Sequence, residues 1–261
     1  ESYDVYGVQA AYNTDSYGGS VRFQLPISEI ESLSLSLALD NTQLATNFYS
    51  SRQLQDFYNS EGSEFTTYST SVSWARFSLD RGLFPTNGSS NTISLSLTLP
   101  GSNLNYGRFT HEFKIFRPLP QRLIFGYRSR IGILFAYEDT ETAPPYQHFY
   151  AGGMRSVRGF RQNYLGPKAV YDSGYNPRYQ RPVGGPYSLA GGFDLIIPLD
   201  FVPDPRSVRG SVFLDYGNVF SDGCRSYEVN CYEFDLSELR YSLGVGVTWI
   251  TALGRLSFAI S

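Results

Sequence analysis

The sequence predicts an all-β protein, an antiparallel β-barrel that crosses a membrane with strands. Three observations predict it. Apolar residues alternate with small hydroxyl residues over long runs. Gly, Pro, Asn and Asp clusters separate those runs. No stretch approaches the roughly 18 consecutive apolar residues that an α-helical span requires. Alternation is informative because successive strand side chains point to opposite faces, so only a strand with one apolar environment needs it.

The cleanest runs are Ser32 to Leu39, where every second residue is Leu, and Thr92 to Leu99, where Ile and Leu alternate with Ser and Thr. A water-soluble sandwich would bury the Leu face and place Lys, Glu and Arg on the other. Here the polar face is Ser, Thr, Gly and isolated charges, the composition of a watery lumen opposite a lipid-facing wall. Val208, Val212 and Leu214 against Arg209, Ser211 and Asp215 repeat the pattern, as do Leu239 to Trp249 against Arg240 to Thr248.

In chain order, strands are expected near Tyr3–Tyr12, Tyr17–Pro26, Leu33–Asp40, Phe65–Leu79, Thr92–Leu99, Tyr106–Arg117, Arg122–Tyr137, Pro186–Pro198, Ser207–Tyr216, Leu236–Trp249 and Arg255–Ser261, eleven in all. Most have about the 9–11 residues of a tilted membrane strand. Ile27–Ser32, Asp80–Asn91, Pro118–Gln121, Leu199–Arg206 and Thr251–Gly254 are the short connections of one rim, expected to be periplasmic. Asn41–Glu64, Glu138–Gly185 and Gly217–Asp235 are the long loops of the other. Eleven is odd where bacterial barrels close on an even number. No signal peptide is recognisable either, so the sequence reads as a mature chain or a piece of a larger barrel.

Composition narrows function. A net charge of −3 and a pI near 5.5 argue against nucleic acid as a partner. Aromatic residues make up 16% and charged residues 17%, which excludes a disordered chain. Cys224 and Cys231, the only two cysteines, share one polar loop, and a disulfide is the sensible reading in an oxidising compartment; a metal framework is not. His111 shares its face with Phe109 and Phe113, and His148 precedes a Gly-Gly pair. No motif places a nucleophilic Ser beside either, so a hydrolase is a remote reading and a passive porin another.

Glu138 to Gly185 is far longer than the ~12–15 residues of an ordinary loop. It carries Gly152-Gly153-Met154-Arg155-Ser156-Val157-Arg158-Gly159-Phe160 and then Leu165-Gly166-Pro167-Lys168-Ala169-Val170. These motifs, with Leu79-Asp80-Arg81-Gly82-Leu83-Phe84-Pro85-Thr86-Asn87-Gly88-Ser89 and Phe213-Leu214-Asp215-Tyr216-Gly217-Asn218-Val219, resemble the outer-membrane barrel-assembly superfamily. The resemblance implies a barrel of about sixteen strands in a Gram-negative outer membrane, of which residues 1–261 would be strands five to fifteen. The first strands, the last strand and the periplasmic POTRA domains would be absent, and 138–185 would fold into the lumen.

It implies further that the protein folds and inserts β-barrel clients through a lateral seam, without cofactor or catalytic residue. Its partners would be unfolded clients, outer-membrane lipid, and lipoprotein subunits reached through the POTRA domains. A related assembly factor, or a two-partner-secretion transporter, is the alternative. The Val157-Arg158-Gly159-Phe160 motif would dock in the lumen, Arg158 pairing with Asp194 and Asp215, Phe160 filling an aromatic niche, and Gly152, Gly153, Gly166 and Pro167 supporting the loop. The alternation agrees, because Asp194 shares a face with Ser188, Ala190 and Gly192, and Asp215 with Arg209 and Ser211. In a wet lumen such a pair is worth ~1 kcal/mol. The disulfide assignment departs from relatives that carry their cysteine pair in the lumen loop.

Overall fold

A computed structural model describes residues 12–171, 181–199, 207–228, 230–251 and 254–261. It contains β1 (Tyr12–Pro26), β2 (Glu31–Thr46), α1 (Arg52–Glu61), β3 (Glu64–Phe77), β4 (Gly88–Thr98), β5 (Tyr106–Pro118), β6 (Ile124–Ala136), β7 (Tyr187–Pro198), β8 (Val208–Phe220), β9 (Arg240–Thr251) and β10 (Gly254–Ile260). The ten strands form one sheet in sequence order, every neighbouring pair antiparallel. None of the described helices is long and apolar enough to cross a membrane.

The expected faces are the observed ones. Leu35, Leu37 and Leu39 of β2, Leu243, Val245 and Val247 of β9, and Phe258 of β10 lie exposed on the outside. The hydroxyls turn inward and pair across strands, Ser36 with Ser71 at 2.5 Å and Ser73 with Ser94 at 2.7 Å. The inner wall of β2, β3 and β4 is thus a ladder of small polar groups that satisfy one another.

The strand list needs one correction. Of the expected strand Tyr3–Tyr12, only Tyr12 lies among the described residues, and it opens β1. Asn13 to Ser16, left between the first two expected strands, are strand instead. These residues pair in register with Ala45 to Thr42, and Ser16 Oγ lies 3.0 Å from Thr42 Oγ1. Their turn propensity is a local preference, and a continuous ladder with β2 outweighs it. β2 and β8 likewise run beyond their expected ends, to Thr46 and Phe220.

The connection after β2 also holds an unexpected helix, α1. Ser51 caps it by accepting from Leu54 N at 3.3 Å, and Gly62 ends it. Leu54 and Phe57 face inward and join Leu44, Phe65 and Leu104 in an apolar cluster at the long-loop end. On its other side, Asp56 accepts from Arg225 Nη1 at 2.6 Å and Tyr227 Oη at 2.5 Å. Those two residues lie between Cys224 and Cys231, which are joined in a disulfide. Among the described residues, the one grouping of three metal-type side chains is Cys224, Glu228 and Cys231, and sulfurs bonded to each other offer no thiolate.

At the opposite rim, residues 78–87 link β3 to β4 through a shaped turn. The Asp80 carboxylate accepts from Thr86 N at 2.8 Å, Thr86 Oγ1 at 2.6 Å and Asn87 N at 3.1 Å. Slight burial works against the charge, but the Thr86 hydroxyl, the two amides and nearby Arg81 hold the Asp80 carboxyl down at about 2. A depressed pKa stabilises the turn above the usual carboxylate value, 3.8, and that stabilisation is lost as pH falls through about 2. An NMR titration of the Asp80 carboxyl should therefore show a midpoint near 2, and a midpoint at the ordinary value would contradict the capped geometry.

Candidate functional site

The described residues of the connection between β6 and β7 fold back as a finger. Its legs are held by isolated bridges, Phe149 with Gly185, Ala151 with Leu165 and Lys168 with Pro182. Leu165 N donates to Ala151 O at 3.0 Å, and Val183 N to Pro167 O at 3.1 Å. Gly152, Gly153, Gly159 and Gly166 all have positive φ. At Gly166 a side chain is doubly excluded, since φ is +92° and a Cβ would lie 2.6 Å from that of Val219. Burial pulls the Lys168 ammonium down to about 8, where it donates to Tyr164 O and stands 3.7 Å from the centre of the Tyr164 ring.

The finger's tip meets the inner wall at β6, β7 and β8. Val157 is fully buried with Ala151, Leu165, Ala190 and Val219. Arg158 grips Asp215 three ways: its backbone N at 2.9 Å, Nε at 2.7 Å and Nη2 at 2.7 Å. Its Nη2 also lies 2.8 Å from Asp194 Oδ1. A planar fork can bridge two carboxylates that would otherwise repel each other, which an ammonium does only as a point charge.

Two residues to which the sequence assigned no part in the docking complete the arrangement. Arg128, on β6, donates from Nη2 to Asp215 Oδ1 at 2.6 Å and from Nη1 to Ser156 O at 3.2 Å, with its Nε 3.9 Å from Asp194 Oδ2. Phe213 lies under the Arg158 guanidinium, 3.7 Å from ring centre to Cζ. Two guanidiniums and two carboxylates therefore form one neutral cluster that joins the finger to three strands. Sequence offered a signal for Arg128, since it shares the inward face with Arg130 and Gly132 on a strand that is apolar outside.

Two expectations change. The pairing is drier than a wet lumen would make it, because the Asp215 side chain is 0% exposed, though that of Asp194 keeps 18%. Phe160, expected in an aromatic-lined niche, packs against the aliphatic cluster of Ala151, Val157, Leu165, Ala190 and Val219. Neither histidine is arranged for catalysis. His111 Nε2 bonds Asn91 Oδ1 at 2.9 Å on the outer face, and His148 Nδ1 donates to Val183 O at 3.2 Å. Burial pushes the His148 imidazole down, toward the neutral form.

The Omp85 superfamily domain matches residues 2–261. The outer membrane protein assembly factor BamA of Neisseria meningitidis is 29% identical over 293 aligned residues, covering 98% of this chain and 36% of that protein. The mouse sorting and assembly machinery component 50 homolog is 27% identical over 165 residues, 60% of this chain and 32% of its own. The crystal structure of BamA from Haemophilus ducreyi lacking POTRA domains 1–3 superimposes with a TM-score of 0.83 at 28% identity, covering 95% of this chain and 50% of that one. CdiB from Acinetobacter baumannii, at 15% identity and a TM-score of 0.51, shares the fold. The chain thus spans about a third of the length of the two curated relatives.

Proposed function

The chain belongs to the Omp85 superfamily, and on that premise we propose that it serves as membrane barrel in a BamA-like factor that folds and inserts β-barrel proteins into the outer membrane. It is a bacterial outer-membrane β-barrel and not an enzyme. The apolar outer face meets acyl chains, and the short-turn rim faces the periplasm. Unfolded barrel proteins are the proposed clients. Lipoprotein subunits of the machine, reached through POTRA domains, are the proposed partners. Lipid supplies no main-chain hydrogen bonds, so an entering strand must find them on protein, and strand-to-strand pairing at a lateral seam provides them.

The observation that carries this reading is the docked finger. Residues 138–185 act as the lumen loop, and the cluster of Arg128, Arg158, Asp194 and Asp215 holds its tip on the wall. A working position for the loop requires this grip more than the barrel's stability does, because the strands are joined by their own ladders.

The test is complementation in cells depleted of the native factor. Arg158→Asp should impair barrel assembly, and Arg158→Asp with Asp215→Arg should recover part of it. Failure of the pair to recover anything, with both variants folded in the membrane, would count against the docking role. A TamA-like factor or a two-partner-secretion transporter is the second reading. The likeness to CdiB extends to the fold alone.

A further inference from the structure

We propose that the β3–β4 turn is a strap that closes the short-turn end of the lumen, latched from the opposite wall by Arg209. The turn is rooted on β3 and β4, whereas Arg209 sits on β8, four strands further along the sheet. Arg209 faces inward, sharing its side of β8 with Ser211, Phe213 and Asp215. Its Nη1 donates to Pro85 O at 2.9 Å and its Nη2 to Phe84 O at 2.5 Å. Its guanidinium carbon stands 4.6 Å from the centre of the Phe84 ring. A contact between the β3–β4 turn and an inward side chain of β8 exists only if the turn crosses the mouth.

The strap is stiff and sprung. Asp80 ties its ends together through Thr86 and Asn87, and Arg117 Nη1 anchors Asn87 Oδ1 at 3.2 Å. Phe84 has φ +52°, a left-handed conformation that a ring-bearing residue keeps only when the surroundings impose it. Here the two carbonyl contacts and the ring contact to Arg209 impose it. A preformed loop held at its crest by one long side chain on another element has two discrete positions, latched and released.

What the strap closes off is chemically distinct. Above it lies a cavity of about 720 Å³, floored by Gly82, Leu83, Phe84 and Pro85 and reaching Arg158 and Asp194. Its lining includes Lys114, Arg155 and Arg255, which have no acidic partner among the described residues. The acids that line it are taken, Glu112 by Arg130 at 2.9 Å and Asp194 by Arg158. A hollow whose lining carries an excess of positive charge concentrates anions, so a released strap opens the periplasmic end onto an anion-attracting chamber.

The test reads the cavity in the full-length protein reconstituted in bilayers, independent of assembly. Ser211→Cys places a thiol on the cavity wall, and the native cysteines are joined to each other and unreactive. An anionic thiol reagent added from the short-turn side should label Ser211→Cys slowly. A minor state is populated at ~10% or less, so releasing the strap should speed labelling at least about tenfold. Arg209→Ala removes the latch, and Phe84→Ala removes the ring while leaving Arg209 in the wall. Both should accelerate labelling, and Arg209→Lys should fall between, because an ammonium cannot span both carbonyls. Labelling that is unchanged in both alanine variants, with folded barrels confirmed by heat-shifted electrophoretic mobility, overturns the proposal.

Discussion

Replacing Asp215 by Asn should cost about 3–5 kcal/mol, the range for removing one member of a buried charge pair, whereas Asp194→Asn should cost on the order of 1 kcal/mol, as for a pair with access to water. The two acids face the same arginines, and burial is what separates them. The Asp215 side chain is 0% exposed and accepts from four donors, three on Arg158 and one on Arg128. Asn keeps the shape but turns an amide NH₂ toward groups that are themselves donors, and it leaves two guanidiniums with one carboxylate. The readouts are the temperature at which the purified barrel loses its folded electrophoretic mobility and protease cleavage after Arg155, Arg158 and Arg161.

The same cluster predicts a rescue. Asp215→Asn leaves one positive charge in excess, and Arg128→Gln removes one. The double variant should therefore lose less than the sum of the singles, by about 1–3 kcal/mol, the coupling expected of residues sharing one network. Additive losses would mean that Arg128 is only a bystander to the grip of Arg158 on Asp215.

What sequence could and could not show follows from the reach of each signal. Period-two alternation is local to a strand, and it placed Leu35, Leu37 and Leu39 outside, and Asp194 and Asp215 inside, without knowledge of any neighbour. It says nothing about which inward side chains face each other across the hollow, because that depends on how the sheet curls. Arg209 was placed on the inward face and the same alternation reaches Arg128, yet their partners are 124–125 and 87 positions away in the chain. Helix α1 was hidden differently. Its cap signals, Ser51 and Gly62, flank a segment whose apolar spacing involves only Leu54, Phe57 and Tyr58, too short a pattern to stand out beside the long loop around it.

The finger's tip should be equally sensitive to a single carbon atom on the wall beneath it. Gly217 of β8 lies where Val157 inserts, and a Cβ there would stand 2.9 Å from Val157 Cγ2, 2.8 Å from Leu189 O and 2.9 Å from Ala190 Cα. Two of those three atoms are backbone of β7 and cannot swing aside, and the third is a methyl of the finger, so a side chain here presses on both. β7 is held on both sides by ladders to β6 and β8, so its backbone gives little and stays strained, while the collision with Val157 is relieved by moving the finger. Gly217→Val should thus displace Val157, at a cost of about 1–3 kcal/mol for an overfilled site, and lengthen the Arg158 contacts to Asp215. Gly217→Val with Val157→Gly removes the side chain that collides and should restore part of the protease resistance at Arg155 to Arg161. If Gly217→Val alone left that resistance intact, the finger would not be resting on β8 as described. A rescued double variant would identify the close approach of Val157 to the wall as the contact that sets the depth of the loop.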